Sequence, residues 1–271
     1  MEIISNFLIQ IVFSVGVIVA FGLLIALCRK TFCNIVGENG TKILLVTGVV
    51  GTPIHELSHA CMCIVFGHKI TKIKLYQPNS LDGTLGYVNH SYNKKNIYHQ
   101  IGNFFIGIAP ILGGSAVLIL LMNLLVPSIY NEVMSELQFV ALLSNDFLDP
   151  SIYSGYLNLF LDVISVIFHF TNAGEVSWWI FIILSLMIAS HMELSSADIK
   201  TGFKGFLFVA AGLLITNVII YFVSISSLEI VTNAMVSFST TIIGFLAISA
   251  VFSGIMVLIA LAIKGIKKVP K

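Results

Sequence analysis

Residues 51–60 read GTPIHELSHA, and three of them have side chains that could bind and use a metal ion. His55 and His59 are four residues apart, so on an α-helix they point the same way, about 6 Å apart, and can reach one ion. Glu56 projects beside them and can act as a base. This set suits zinc hydrolysis, in which the ion acidifies a water molecule and the carboxylate accepts the proton.

The setting of this motif is unusual because it lies inside an apolar run from Ile43 to Phe66. A carboxylate at membrane depth costs roughly 3 kcal/mol on insertion scales, so its presence there indicates a function. The alternative is a polar cluster in which the imidazoles and the carboxylate only satisfy one another between helices. Metal coordination offsets the cost of burial, and we therefore expect a metal site.

A zinc site with two histidines needs a further protein ligand, which must come from another segment. The stretch SHMELSSADIK carries His191, Glu193 and Asp198 beside small residues. We expect Asp198 to be the third ligand, with His191 as the alternative. Asp82 lies in the turn sequence SLDGT and is interpreted as a turn residue, and Asp162 is interpreted as part of a helix surface.

Composition points to the membrane, since 57% of the 271 residues are hydrophobic and only 10% are charged. A membrane-spanning helix needs about 20 apolar residues. We therefore predict an all-α polytopic membrane protein with about six transmembrane helices and a small β-hairpin insert after the HExxH helix. The chain shows no basic patch interleaved with aromatic residues, so we expect no nucleic-acid partner. The predicted spans lie at about 7–28, 43–66, 104–126, 177–192, 205–224 and 240–263.

The distribution of lysine predicts the orientation of these spans. Five lysines follow the HELSH helix, whereas residues 127–176 carry acidic side chains and no basic ones. By the positive-inside rule the first segment faces the cytoplasm and the second faces out, which places both termini in the cytoplasm of what we expect to be a bacterial plasma membrane. The apolar stretch from Ile152 to Phe170 is interpreted as an interfacial or extracytoplasmic helix. Three basic residues do not follow this arrangement: Arg29, Lys30 and Lys42.

A β-hairpin is predicted directly after the HELSH helix. The stretches Lys69 to Tyr76 and Thr84 to Tyr92 are rich in β-formers, and the turn formers QPNSLDG separate them. Such a hairpin could offer a strand edge to an extended peptide, or it could be a plain surface loop. Both interpretations stay open.

The four cysteines do not form a recognisable motif. Cys28 and Cys33 lie near the end of the first span, and Cys61 and Cys63 are two residues apart in the HELSH helix, without a CxxC pair. We interpret all four as small apolar packing residues.

The segment GNFFIGIAPILGG combines glycines with a proline inside an apolar helix. Its glycines permit close helix contact, and Pro110 removes one backbone hydrogen bond, which frees a carbonyl and bends the helix. One hypothesis is that this bend opens a path for water and substrate to the metal, with Asn103 near the cytoplasmic entrance. The alternative is ordinary tight packing.

Taken together, HELSHA in an apolar segment, a β-rich insert, GNFFIGIAPILGG and an aspartate in a later span resemble the site-2 protease family of intramembrane zinc metalloproteases. The resemblance covers about residues 43–200. It implies zinc ligands at His55 and His59, a general base at Glu56, and a carboxylate ligand from a downstream span. In the family that carboxylate lies in a Leu-Asp-Gly motif, and in this chain SSADIK stands in its place.

We predict three parts of the chain: residues 1–42 with the first span, a metalloprotease core at 43–204, and two further spans with a basic tail at 205–271. The expected function is zinc-dependent hydrolysis of membrane-embedded polypeptides within the lipid bilayer, near its cytoplasmic side. The alternative is a non-proteolytic membrane protein, either a metal-binding transporter or an inert protease-like scaffold. The sequence does not choose a substrate or an oligomeric state.

Overall fold

The computed structural model describes residues 2–81, 83–143 and 150–267, which form a mostly helical chain with one small sheet. A π-helical turn at Val12–Gly16 joins the first two helices, and a 3-10 turn at Phe170–Gly174 precedes the seventh. The helices are α1 (Glu2–Ile11), α2 (Val17–Val36), α3 (Glu38–Val65), α4 (Ile97–Leu125), α5 (Pro127–Leu143), α6 (Pro150–Ile167), α7 (Val176–Ala189), α8 (Ser196–Val223) and α9 (Ile225–Lys267).

Several of these helices could cross a membrane. Within the described ranges, four segments are long and apolar enough: Glu2–Val36, Ile97–Leu125, Ser196–Val223 and Ser227–Lys264. The prediction of a mainly helical chain with long apolar helices is confirmed, but the number of six spans is not.

The two remaining predicted spans, 43–66 and 177–192, correspond to α3 and α7, which are not among these four segments. α7 is strongly apolar but only 14 residues long. α3 has 28 residues and carries the HELSH motif, whose polar side chains lower its mean hydropathy. The predicted span at 7–28 ends too early, because α2 continues to Val36. The stretch from Ile152 is helical, as predicted, and its position relative to a membrane stays a prediction.

α8 exposes most of its apolar surface. Among its described residues, the buried ones are Gly202, Gly205 and Asn217. Large apolar side chains such as Leu207 and Ile215 face outward. A helix that packs through glycine and presents apolar side chains outward suits a lipid environment.

The predicted hairpin is confirmed. Strands β1 (Lys69–Lys74) and β2 (Tyr87–Ser91) pair antiparallel, with Ile70 opposite His90, and the ladder is irregular between Ile70 and Lys72. Both strands are shorter than predicted, because the residues after β1 leave the ladder towards the connecting segment. Asp82, interpreted as a turn residue, lies outside the described residues.

α4 and α8 approach each other so closely that only glycine fits between them. A Cβ atom on Gly107 would lie 2.6 Å from the Asp198 carbonyl oxygen and 2.6 Å from the Gly202 Cα. A Cβ atom on Gly205 would lie 2.1 Å from the Phe104 backbone nitrogen. The close helix contact predicted at Gly107 is thus confirmed. It fixes the first turn of α8, and with it the position of Asp198.

The next two glycines of α4 serve other contacts. A Cβ atom on Gly113 would collide with Ser58 in α3, and one on Gly114 would lie 2.6 Å from the Met192 Cγ. α4 therefore packs against the HELSH helix and against the connection between α7 and α8 as well as against α8 itself.

A buried polar contact ties α1 to α8 and α9. The side-chain amides of Gln10 and Asn217 exchange two hydrogen bonds, of 2.9 and 3.1 Å, and Gln10 also donates to the Thr232 hydroxyl at 2.9 Å. In an apolar environment such amide pairs fix which helices meet, because each would otherwise bury unpaired polar groups.

We predict that Gly107→Ala lowers the stability of the folded chain and its affinity for a metal. The added methyl group meets backbone atoms that cannot rotate away, and overpacking of this kind costs about 1–3 kcal/mol. The measurement is the thermal unfolding midpoint in detergent, together with bound metal. Gly212→Ala in α8 is the matched control, because no atom lies within 4 Å of its new Cβ. Equal behaviour of the two variants would contradict the proposed role of this contact.

Candidate metal centre

Three ligand atoms converge between α3 and the start of α8. The Nε2 atoms of His55 and His59 are 3.2 Å apart. Asp198 Oδ1 lies 3.2 Å from His59 Nε2, and Asp198 Oδ2 lies 3.9 Å from His55 Nε2. These ligand atoms all fall within 4.8 Å of one another, so the group could hold a metal ion.

Both histidines are oriented by backbone carbonyls on other segments. His55 donates from Nδ1 to the His191 carbonyl at 2.7 Å, and His59 donates from Nδ1 to the Ile106 carbonyl at 2.7 Å. A ring that donates from Nδ1 in its neutral form keeps a lone pair at Nε2. This is the arrangement in which metal-binding histidines are usually held.

Pro110 explains why the Ile106 carbonyl is available. In an α-helix the carbonyl of residue 106 would accept from the backbone N–H of residue 110, but that residue is proline and has none. The freed carbonyl accepts from His59 instead. The freed carbonyl was predicted from the sequence, with the role of the proline open between a substrate path and tight packing. In the structure that carbonyl has a partner, His59, in the candidate metal-binding group.

The Asp198 carboxylate is held by a capping box at the start of α8. The Ser195 hydroxyl accepts from the Asp198 backbone N–H at 3.1 Å, and Asp198 Oδ2 accepts from the Ser195 backbone N–H at 2.8 Å. This reciprocal pair fixes the carboxylate with Oδ1 facing His59. The S-x-x-D spacing of SSAD is the sequence signal for this cap.

His191, the alternative third ligand, has other partners. Its Nε2 lies 3.0 Å from the Thr47 hydroxyl and its Nδ1 lies 3.4 Å from the Thr52 hydroxyl, both in α3. Gly51 lets the ring approach, since a Cβ atom there would lie 2.6 Å from the His191 Cδ2. His191 thus supports the site through its carbonyl, and the three-residue group contains Asp198 instead.

Glu56 is buried next to this group and is not part of it. Its side chain is 6% exposed, and it lines a cavity of about 300 Å³ together with His55 and the segment Gly83–Gly86. A Cβ atom on Gly86 would lie 2.8 Å from the Glu56 Cγ, so the backbone of the hairpin connection passes directly over the carboxylate.

An ion pair lies at the edge of the same cavity. Arg29 in α2 pairs with Glu193, and both side chains are about a quarter exposed, at 26% and 29%. Arg29 was one of the basic residues that did not follow the predicted topology. It lies inside α2 and not in a loop, and its charge is balanced beside the site.

Asn103 and Pro110 do not line this cavity. Both are buried in α4. The Asn103 side chain is fully buried and donates to Gln100 Oε1 at 3.3 Å. The hypothesis of a substrate entrance beside Asn103 therefore gains no support from the described contacts.

No model of a known protein family, no curated protein and no solved structure matches this chain. The geometry of the site is therefore the basis for its interpretation.

We predict that Pro110→Ala weakens metal binding while the helix is retained. Alanine restores a backbone N–H that competes with His59 for the Ile106 carbonyl, and losing such an orienting partner typically costs about 10- to 100-fold in metal affinity. Competitive metal titration in detergent measures the effect. Pro127→Ala is the control, because that proline begins α5 and lies outside the site. Unchanged affinity in Pro110→Ala would show that the carbonyl does not orient His59.

Proposed function

We propose that this chain is a membrane-embedded zinc metalloendopeptidase that hydrolyses peptide bonds of membrane-embedded polypeptides near the cytoplasmic side. The observation that carries the proposal is the convergence of His55 Nε2, His59 Nε2 and Asp198 Oδ1, while the Nδ1 atoms of both rings are committed to backbone carbonyls. Three lone pairs that face one another in a buried place repel unless a cation lies among them. A polar cluster would need an extra proton on one imidazole.

The donor set fits zinc. Two imidazole nitrogens and one carboxylate oxygen are ligands that zinc accepts, and hydrolytic zinc sites have three protein ligands so that one position stays open. Bound there, the ion would supply Lewis-acid activation of a water molecule. The neighbouring cavity provides space for the open position.

Glu56 is placed to act as the general base. It follows a ligand in the sequence, lines the cavity and belongs to no ligand group among the described residues. Its carboxylate would accept a proton from the attacking water and pass it to the departing amine as the C–N bond breaks. One carboxylate would thus carry out both proton transfers, as is usual for this motif.

The hairpin connection is the element that we propose to meet the substrate. The segment Gly83–Gly86 lines the cavity together with His191 and Glu193, and its glycines leave the backbone uncovered by a side chain. Backbone groups can pair with an unwound segment without requiring a particular side chain, so this arrangement favours the clamping interpretation of the hairpin over a plain loop.

Metal content tests the site. We expect about one zinc per chain bound at this site in the wild type and in Glu56→Gln, and loss of that zinc in His59→Ala and Asp198→Ala, because the last two remove ligands. Each variant is purified in the same detergent and its metal is measured per folded chain after zinc is offered. If folded wild-type protein has the same zinc content as His59→Ala, the three side chains form a polar packing cluster, and the protease proposal fails.

Activity distinguishes the protease from the non-proteolytic alternatives. A reporter with one apolar helix, reconstituted with the chain in lipid vesicles, should be cut by the wild type and cut about 10²- to 10⁴-fold more slowly by Glu56→Gln. Because this variant keeps its metal, the substitution should not change the function of a transporter or a scaffold. Equal cleavage by the wild type and Glu56→Gln would exclude Glu56 as the base. Metal transport that the substitution leaves unchanged would favour the transporter.

A further inference from the structure

A second group of potential metal ligands lies one helical turn beyond the first. Cys63 follows His59 by four residues, so the two share a face of α3 and are about 6 Å apart along its axis. With His68 and His90, Cys63 forms a group whose ligand atoms all lie within 4.8 Å of one another. The group shares no residue with the first site.

The end of α3 brings His68 back to Cys63. Gly67 has a φ of +67°, the left-handed conformation that glycine tolerates. The Gly67 N–H donates to the Ile64 carbonyl at 3.1 Å, and the His68 N–H donates to the Cys63 carbonyl at 2.8 Å. This pair of bonds is the Schellman motif, which reverses the chain at a helix C-terminus.

The hairpin register then supplies His90. β1 begins at Lys69, directly after His68, and Ile70 pairs with His90 on β2. The antiparallel return of β2 therefore carries His90 to the start of the hairpin, where the Nδ1 atoms of His68 and His90 lie 3.0 Å apart.

His68 is oriented in the same manner as the histidines of the first site. It donates from Nε2 to the His99 carbonyl at 2.9 Å, which leaves the Nδ1 lone pair facing His90. The ring of Tyr92 stacks on His68, with centroids 4.7 Å apart.

We propose that Cys63, His68 and His90 form a second metal site, with zinc or a similar divalent ion held by one thiolate and two imidazoles. Thiolate and imidazole ligands suit such ions, and Cys63 and His68 are buried, at 0% and 5% exposure. The ion would fasten the hairpin to the end of α3. Since the hairpin connection passes over Glu56, this fastening would hold it in place above the first site.

The competing explanation is packing alone. Cys63 would then be a small apolar packing residue, as its sequence context predicts, and His68 and His90 would share one hydrogen bond. The two explanations differ in whether the sulfur binds a metal. The first site has no sulfur ligand, so a signal from Cys63 sulfur reports the second site without interference from the first.

Cobalt binding gives that signal, because a cobalt–thiolate bond produces a near-ultraviolet charge-transfer absorption. The full chain in detergent is titrated with Co²⁺ as the wild type, as His59→Ala, and as a triple variant (Cys28→Ser, Cys33→Ser and Cys61→Ser) that keeps Cys63 alone. We expect the absorption in all three proteins. It should disappear in Cys63→Ser and fall at least about 10-fold in intensity at the same Co²⁺ concentration in His90→Asn. Cys61→Ser is the matched control, two residues away on the exposed side of α3, and should keep it.

The outcomes separate this proposal from the proposed function. Absorption in His59→Ala would support the second site even if the first binds nothing. Absence of the thiolate absorption in the wild type and in the variant with Cys63 alone, at Co²⁺ concentrations in excess of the chain, would overturn the proposal whatever the first site does. Absence of the absorption in the wild type is by itself enough to overturn the proposal, so a variant that fails to fold does not rescue it.

Discussion

The candidate metal centre depends on hydrogen bonds from its two imidazoles to backbone carbonyls that accept no bond from their own helix. Inside a bundle of apolar helices nearly every carbonyl accepts a bond from its own helix, and a free one must come from an interruption. The chain has an interruption for each histidine: Pro110 removes the partner of the Ile106 carbonyl, and α7 ends just before the His191 carbonyl. Each interruption fixes one imidazole with its Nε2 towards Asp198. The orientation of the two imidazoles thus depends on a proline inside α4 and on the end of α7.

Glycine then sets the distances between these parts. Gly107 allows α8 to begin against α4, Gly51 allows His191 to press on α3, and Gly86 allows the hairpin connection to lie on Glu56. In each place a single methyl group would occupy space that backbone or a site residue now fills. Each such contact contributes little dispersion energy to the stability of the fold. Together, however, they allow the candidate site residues of separate segments to come close to one another.

Local sequence patterns predicted the parts of this molecule that depend on near neighbours. The i, i+4 spacing placed His55 and His59 on one face, and β-forming residues around a turn predicted the hairpin. What the patterns did not predict depends on tertiary contact. Three such contacts join separate segments of the chain. They are the bond from His59 to the Ile106 carbonyl, the ion pair of Arg29 with Glu193, and the group of Cys63, His68 and His90. The number of six spans is not confirmed, in part because polar residues lower the mean hydropathy of α3.

The two candidate ligand groups to which α3 contributes differ in ways that suit different tasks. The first has nitrogen and oxygen donors and opens on a cavity beside Glu56, so an ion there would have an accessible position. The second includes sulfur, is covered by Tyr92 and lies where helix and hairpin join. Thiolate binds a borderline ion firmly, and burial limits exchange with solvent. If both groups hold metal, the ion at the end of α3 would hold the hairpin backbone above Glu56, and loosening that ion would move the backbone without changing His55, His59 or Asp198.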